Sequence, residues 1–260
     1  MGERTQHTPG TFSWTDLNTT DQGAAKAFYS GLFGWEITDM PAGEGVEYSM
    51  AAIGGKWVGA ISPQPQQQRD AGVPPAWNSY VTVANVDESA AKAGELGATV
   101  HAPPFDVMEA GRMAVIQDPQ GAWFLLWQPN QHKGAQLVNA PGALCWNELG
   151  SPDLDGSAKF YGDLLGWTSE PMEGGDMPYL VVKTADGHTN GGIRPPMPPD
   201  TPPFWLVYFA TDDLDATLSK VTDLGGNVLM GNTDIGIARI AVAQDPQGAV
   251  FALYAGRLDD

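Results

Sequence analysis

Basic side chains are scarce: 13 lysines and arginines stand against 31 aspartates and glutamates over 260 residues, a formal net charge of -18. Phosphate backbones are held by neutralising Lys and Arg, so this deficit excludes nucleic acid as the natural partner and disfavours an anionic membrane surface. Cysteine occurs once, at Cys145, which forbids an internal disulfide and a cysteine-cluster zinc site. No apolar run approaches the roughly 18 residues of a membrane span, and MGERTQHTPGTFSW offers no signal-peptide core. Gln6 breaks the myristoylation pattern that Gly2 would begin. What remains is 42% hydrophobic residues, enough for one large or two smaller cores. A soluble, cytoplasmic, acidic protein is expected.

The chain repeats itself. GTFSWTDLNTTDQGAAKAFYSGLFGW (Gly10 to Trp35) aligns with GALCWNELGSPDLDGSAKFYGDLLGW (Gly142 to Trp167), sharing Trp14/Trp146, Leu17/Leu149, Asp21/Asp153, Phe28–Tyr29/Phe160–Tyr161 and Gly34–Trp35/Gly166–Trp167. RMAVIQDPQGAWFLL from Arg112 and RIAVAQDPQGAVFAL from Arg239 are closer still. A spacing near 130 residues is too long for a solenoid and indicates a duplicated domain. The runs PQPQQQRDAGVPP (Pro63 to Pro75) and RPPMPPDTPP (Arg194 to Pro203) continue neither helix nor central strand, so they read as connectors. PNQHKGAQLVNAPG (Pro129 to Gly142) links the halves. Two domains follow, 10–130 and 142–256, each of two units: 10–62 with 76–128, and 142–194 with 204–254.

Each unit reads as strand, helix, then several strands. Trp14, Asp16 and Asn18 alternate with Thr15 and Leu17. Asp21 or Thr20 suits a helix N-cap, Ala24, Ala27, Phe28 and Leu32 recur at helical spacing, and Gly34 suits the C-cap. DPQGA places Asp-Pro at a turn and Gly where a positive φ is needed, joining two strands.

These pieces, D-x6-FY-x2-LFGW or LLGW with the strand–DPQGA–strand hairpin, resemble the vicinal oxygen chelate superfamily, the glyoxalase/bleomycin-resistance/extradiol dioxygenase fold, in the tandem two-domain form common in actinobacteria. The resemblance implies an α+β fold in which four βαβββ units form two tandem cup-shaped domains, each cup enclosing a pocket. It also implies where a metal would sit, on a His, Gln or Glu of each first strand and a Glu or His of each last strand. Those positions fall on Trp14, Asn78, Trp146 and Leu206, and on Leu125 and Ala252. His7, His101, His132 and His188 are scattered, without ligand spacing. No metal site and no cofactor are expected.

Alternation puts Trp14 and Asp16 on one strand face and Trp146 and Glu148 on its counterpart. If that face lines the cup, each pocket holds an indole and a carboxylate. Asn78 and Tyr80, against Leu206 and Tyr208, join them. Tyr48 with Tyr179 and Trp127 with Tyr254 complete aromatic walls suited to a small aromatic ligand. The same rings also suit a packed core. Asp16 and Glu148 are candidate general bases, or else structural partners of Arg112 or Arg239. Cys145 is expected to face away from the pocket, under a helix. Leu206 and Ala252, smaller than Asn78 and Leu125 as a pair, suggest a roomier second cup. Three functions fit: a metal-independent binder of an aromatic or polyketide-like metabolite in natural-product resistance or biosynthesis, a metal-free isomerase, cyclase or oxygenase accessory, and a metal-dependent lyase or dioxygenase. A monomer or homodimer is expected.

Overall fold

The computed structural model describes residues 2–43, 45–173 and 177–258. The first half comprises β1 (Gly2–Glu3), β2 (Phe12–Thr19), α1 (Gln22–Phe33), β3 (Glu36–Pro41), β4 (Glu47–Ile53), β5 (Lys56–Pro63), α2 (Gln66–Asp70), β6 (Ala76–Thr82), α3 (Val86–Glu95), β7 (Thr99–Val107), β8 (Gly111–Gln117) and β9 (Trp123–Pro129). After β10 (Leu137–Val138), which pairs with β1, the second half runs β11 (Leu144–Gly150), α4 (Leu154–Leu165), β12 (Thr168–Pro171), β13 (Leu180–Lys183), β14 (Thr189–Arg194), β15 (Phe204–Ala210), α5 (Leu214–Asp223), β16 (Asn227–Asp234), β17 (Ala238–Gln244) and β18 (Val250–Gly256). The connector from Pro63 is not featureless, since α2 forms inside it, opened by Pro65.

Helix ends obey their caps. Asp21 and Asp153 accept hydrogen bonds from the amides of Ala24 and Gly156, and Gly34 and Gly166 close α1 and α4 at φ 73° and 75°. Two eight-stranded sheets result, in the orders β3-β4-β5-β2-β6-β9-β8-β7 and β12-β13-β14-β11-β15-β18-β17-β16. The fold is α+β, with four βαβββ units making two tandem cups. In each, the first strands of the two units pair antiparallel at the centre: Trp14 faces Tyr80 and Asp16 faces Asn78, as Trp146 faces Tyr208 and Glu148 faces Leu206.

The two sheets stand back to back with helices between them. α1 buries Phe28, Tyr29 and Leu32 against Leu17, Ile61 and Trp77 of its own sheet and Val207, Phe209 and Phe251 of the other. α4 does the reverse, setting Phe160 and Tyr161 among Val81, Phe124 and Leu126 of the first sheet. Burying each such side chain contributes about 1.5–3 kcal/mol. The motif residues meet across this seam. Tyr29 donates to Asp245 (3.1 Å) while accepting from the Trp77 indole (3.0 Å); Tyr161 donates to Asp118 (2.9 Å) while accepting from Trp205 (2.9 Å). The Trp35 indole donates to the Gly142 carbonyl and Trp167 to that of Gly10. The signature of each half is therefore completed by the other half.

Candidate functional site

A β-bulge sets the floor of each cup. Between Phe12 and Trp14, and again between Leu144 and Trp146, one extra residue opposes the partner strand. The bulge turns Phe12 and Leu144 toward the helices while Trp14 and Trp146 face the cup. In the first cup Asp16 is the central carboxylate. Asn78 Nδ2 donates to its Oδ1 (2.8 Å), and the hydroxyls of Tyr80 (2.7 Å) and Tyr48 (2.9 Å) donate to its Oδ2. The Trp14 indole donates in turn to the Tyr48 oxygen (2.9 Å). No cation joins this group among the described residues. Burial raises the Asp16 carboxyl above its ordinary range, and the three donors offset only part of that.

The second cup repeats the chain with one change of sign. Trp146 donates to Tyr179 (3.1 Å), which donates to Glu148 Oε2 (3.0 Å). Tyr208 donates to Oε1 (2.9 Å), where Arg194 Nε also donates (2.5 Å). Arg194 lies beside Gly150 in the register where Ser62 lies beside Asn18 in the first cup. Tyr179 crosses directly over Gly192, where any Cβ would collide with its ring.

The sequence expectations divide. Trp14, Asp16, Tyr48, Asn78, Tyr80 and Trp127 converge in the first cup, and Trp146, Glu148, Tyr179, Leu206, Tyr208 and Tyr254 in the second. Arg112 and Arg239 are not the partners of the cup carboxylates. Arg112 binds Asp87 and Asp106, and Arg239 binds Asp215 and Asn232, on exposed surface. The partner of Glu148 is Arg194, at the strand end that its following prolines disguise. Cys145 does not lie under a helix: it occupies the bulge, packs against the second cup's cluster and donates to the Tyr208 carbonyl at 3.4 Å, and burial pushes its thiol pKa up.

His132, read as a linker residue, roofs the first cup. Its ring meets Trp14 edge-on at 4.4 Å, and its carbonyl accepts from the Trp127 indole. His132 Nε2 is buried with no hydrogen-bond partner among the described residues. Burial, then the neighbouring His7, lower its pKa to about 4. Since the folded pKa lies below the ordinary 6.5, the folded state resists the proton, and stability is lost as pH falls from 6.5 to about 4. The full loss is about 3 kcal/mol. Guanidinium unfolding of His132→Phe beside the wild type is expected to remove that part of the pH dependence, and identical pH profiles would refute it.

A divalent cation does not fit either floor. Among the described residues no group of three or more His, Cys, Asp or Glu converges anywhere. Among the described residues each cup has one carboxylate, whose oxygens already accept from phenols, an amide or a guanidinium, with Trp14, Leu125, Trp146 and Ala252 filling the surrounding positions. An octahedral ion requires several convergent oxygen or nitrogen donors. No helix among the described residues is long and apolar enough to cross a membrane.

The family profile described as Glyoxalase/Bleomycin resistance protein/Dioxygenase superfamily matches residues 11–126 and 144–253. CFP32 of Mycobacterium tuberculosis (strain CDC 1551 / Oshkosh), provisionally named a glyoxylase, is 45% identical over 97% of both chains. The anthracycline biosynthesis protein DnrV of Streptomyces peucetius is 31% identical over 96% of this chain and 94% of its own. Among solved structures, the Mn(II)-bound glyoxalase from Novosphingobium aromaticivorans superposes with a TM-score of 0.66 at 17% identity, covering 95% of this chain and 82% of that one.

Proposed function

The chain belongs to the Glyoxalase/Bleomycin resistance protein/Dioxygenase superfamily, and from that premise we propose that it binds a small aromatic, polyketide-like metabolite without a metal ion, in natural-product biosynthesis or resistance in the cytoplasm. One observation carries this reading: in both cups an indole stands at the expected metal-ligand position, hydrogen-bonded through a tyrosine to the floor carboxylate, Asp16 or Glu148. In the second cup, where Trp146 and Tyr179 are only half-buried, such a floor offers flat π-faces and fixed hydroxyls, the surfaces that hold planar ring systems. The likeness to DnrV, named for anthracycline biosynthesis, supports the choice of ligand class.

The test is quenching of tryptophan emission by a panel of polycyclic aromatic metabolites, with and without chelator. Saturable quenching unaffected by chelation is expected, and affinity that disappears with the metal and returns with it would overturn the reading.

Asp16 favours a second reading, a metal-free isomerase, cyclase or oxygenase accessory. Burial holds its proton affinity above that of an ordinary carboxylate, and its partners among the described residues, Asn78, Tyr80 and Tyr48, are neutral. That suits a general base toward an acidic C–H or phenol, with Glu148 the corresponding group of the second cup. Mass spectrometry of bound ligand separates the readings: an Asp16→Asn variant that still binds but no longer converts supports the enzyme, and an unchanged ligand mass in the wild type supports the binder.

A further inference from the structure

The two cups differ in access and in charge. On the first, Trp14 and Trp127 are only 3% and 5% exposed, because the segment joining the halves lies across them with Ala135, Val138 and His132 packed on the floor. Backbone bonds pin that segment: Ala135 N donates to Ser13 O (2.7 Å), Gln136 N to Trp57 O (2.7 Å) and His132 N to Ala110 O (3.0 Å). The corresponding rings of the second cup, Trp146 and Tyr254, are half-buried, and every side chain clustered there comes from its own sheet. Asn78 and Leu125 become Leu206 and Ala252, which replaces an amide by an apolar side chain and leaves the pair smaller.

The charge lies in the second cup as well. Arg194 carries a guanidinium 13% exposed beside a carboxylate 8% exposed. Its Nε is taken by Glu148 and its Nη1 by the Pro195 carbonyl, while Nη2 makes no hydrogen bond among the described residues. Trp146, Tyr179, Glu148 and Arg194 thus form one continuous line from an aromatic face to a guanidinium whose Nη2 no described residue occupies. A guanidinium presents planar, directional N–H groups that match carboxylate and phenolate oxygens. In the first cup the matched position is Ser62, which donates to Asn18 (2.7 Å) and carries no charge.

We infer that the second cup is the one that admits ligand, and that it takes a planar aromatic molecule bearing an acidic oxygen, a carboxylate or ionised phenol, with its rings on Trp146 and that oxygen on Arg194. On the binding reading the first cup is a closed, structural copy, whereas catalysis at Asp16 would require it to open. The inference rests on the aromatic-binding reading above and narrows it to one site and one charge.

Calorimetric titration with anthraquinone-2-carboxylate and its uncharged carboxamide tests it. One site per chain is expected, with the carboxylate bound about tenfold more tightly. The double variant Glu148→Gln/Arg194→Met, which leaves no buried charge unpaired, should bind both probes alike. Arg194→Lys should retain part of the preference, and Ser62→Met in the first cup should change nothing. Equal affinities for the two probes in the wild type, two sites per chain, or a preference that survives the double variant would each overturn the inference while leaving the aromatic binder standing. Binding of neither probe would overturn both.

Discussion

Asp118→Ala is expected to destabilise the protein by about 3–5 kcal/mol, far more than a typical turn substitution. The Asp118 carboxylate accepts from the amides of Gln120, Gly121 and Ala122 through Oδ1 and from the Tyr161 phenol through Oδ2. Alanine leaves the buried Ala122 amide and Tyr161 hydroxyl unmatched and strips the part-buried Gln120 amide of its acceptor, while Gly121 keeps only its bond to the Asp118 carbonyl. Tyr161→Phe leaves the three amide bonds in place but removes the donor to Asp118 and the acceptor of the Trp205 indole, and should cost about 2–3 kcal/mol. Asp245→Ala, with the amides of Gln247 and Ala249 and the Tyr29 phenol as donors, should behave likewise. Guanidinium unfolding measures all three, and an Asp118→Ala loss below about 1 kcal/mol would show that the turn holds itself without the carboxylate. Acid should not mimic these variants. Burial raises both carboxyls, so their folded pKa values lie above the unfolded ones. Their ionisation therefore opposes folding, and protonation as pH falls relieves that cost.

Arg194→Met alone should be the second severe change, about 3–5 kcal/mol, because it strands Glu148 as a buried charge. Restoring neutrality with Glu148→Gln in the same chain should recover most of it. That pattern, a large single loss mostly cancelled in the double variant, distinguishes an ion pair from lost packing, which the second substitution would leave unrepaired. The first cup supplies the contrast. Asp16 has no cation to lose among the described residues, its raised carboxyl already recording the cost of burial, so Asp16→Asn should leave stability near the wild type at neutral pH. Thermal unfolding of the three variants beside the wild type reads both expectations.

The legible part of the site was the part encoded by neighbours. Strand alternation is a two-residue rule, so Trp14 with Asp16 and Trp146 with Glu148 could be placed on one face from their spacing. Caps are equally local, and Asp21, Gly34, Asp153 and Gly166 do what their residue types predict. Pairings set by the far half of the chain were hidden. Tyr29 and Tyr161 stand out in the sequence only as repeated motif residues, yet their hydroxyls serve aspartates 216 and 43 residues away. Arg194 was masked by the prolines after it, although counting two residues on from Gly192 along β14 puts it on the cup face with Glu148. Arg112 and Arg239 drew attention because they repeat, but they sit on the outer surface with carboxylates of their own. His132 gave no signal, since a roof over a pocket is a property of the path the linker takes.

The back-to-back arrangement bears on how this chain was free to change. Were the two cups supplied by identical subunits, any alteration of one floor would appear in both, and a lid could not be laid over one while its twin stayed open. Covalent fusion lifts that constraint. Asp118 and Asp245 hold the centre of the molecule nearly symmetric, and the outward hollows can drift apart without disturbing it. Selection acting on the second hollow alone leaves the first to serve as its foundation.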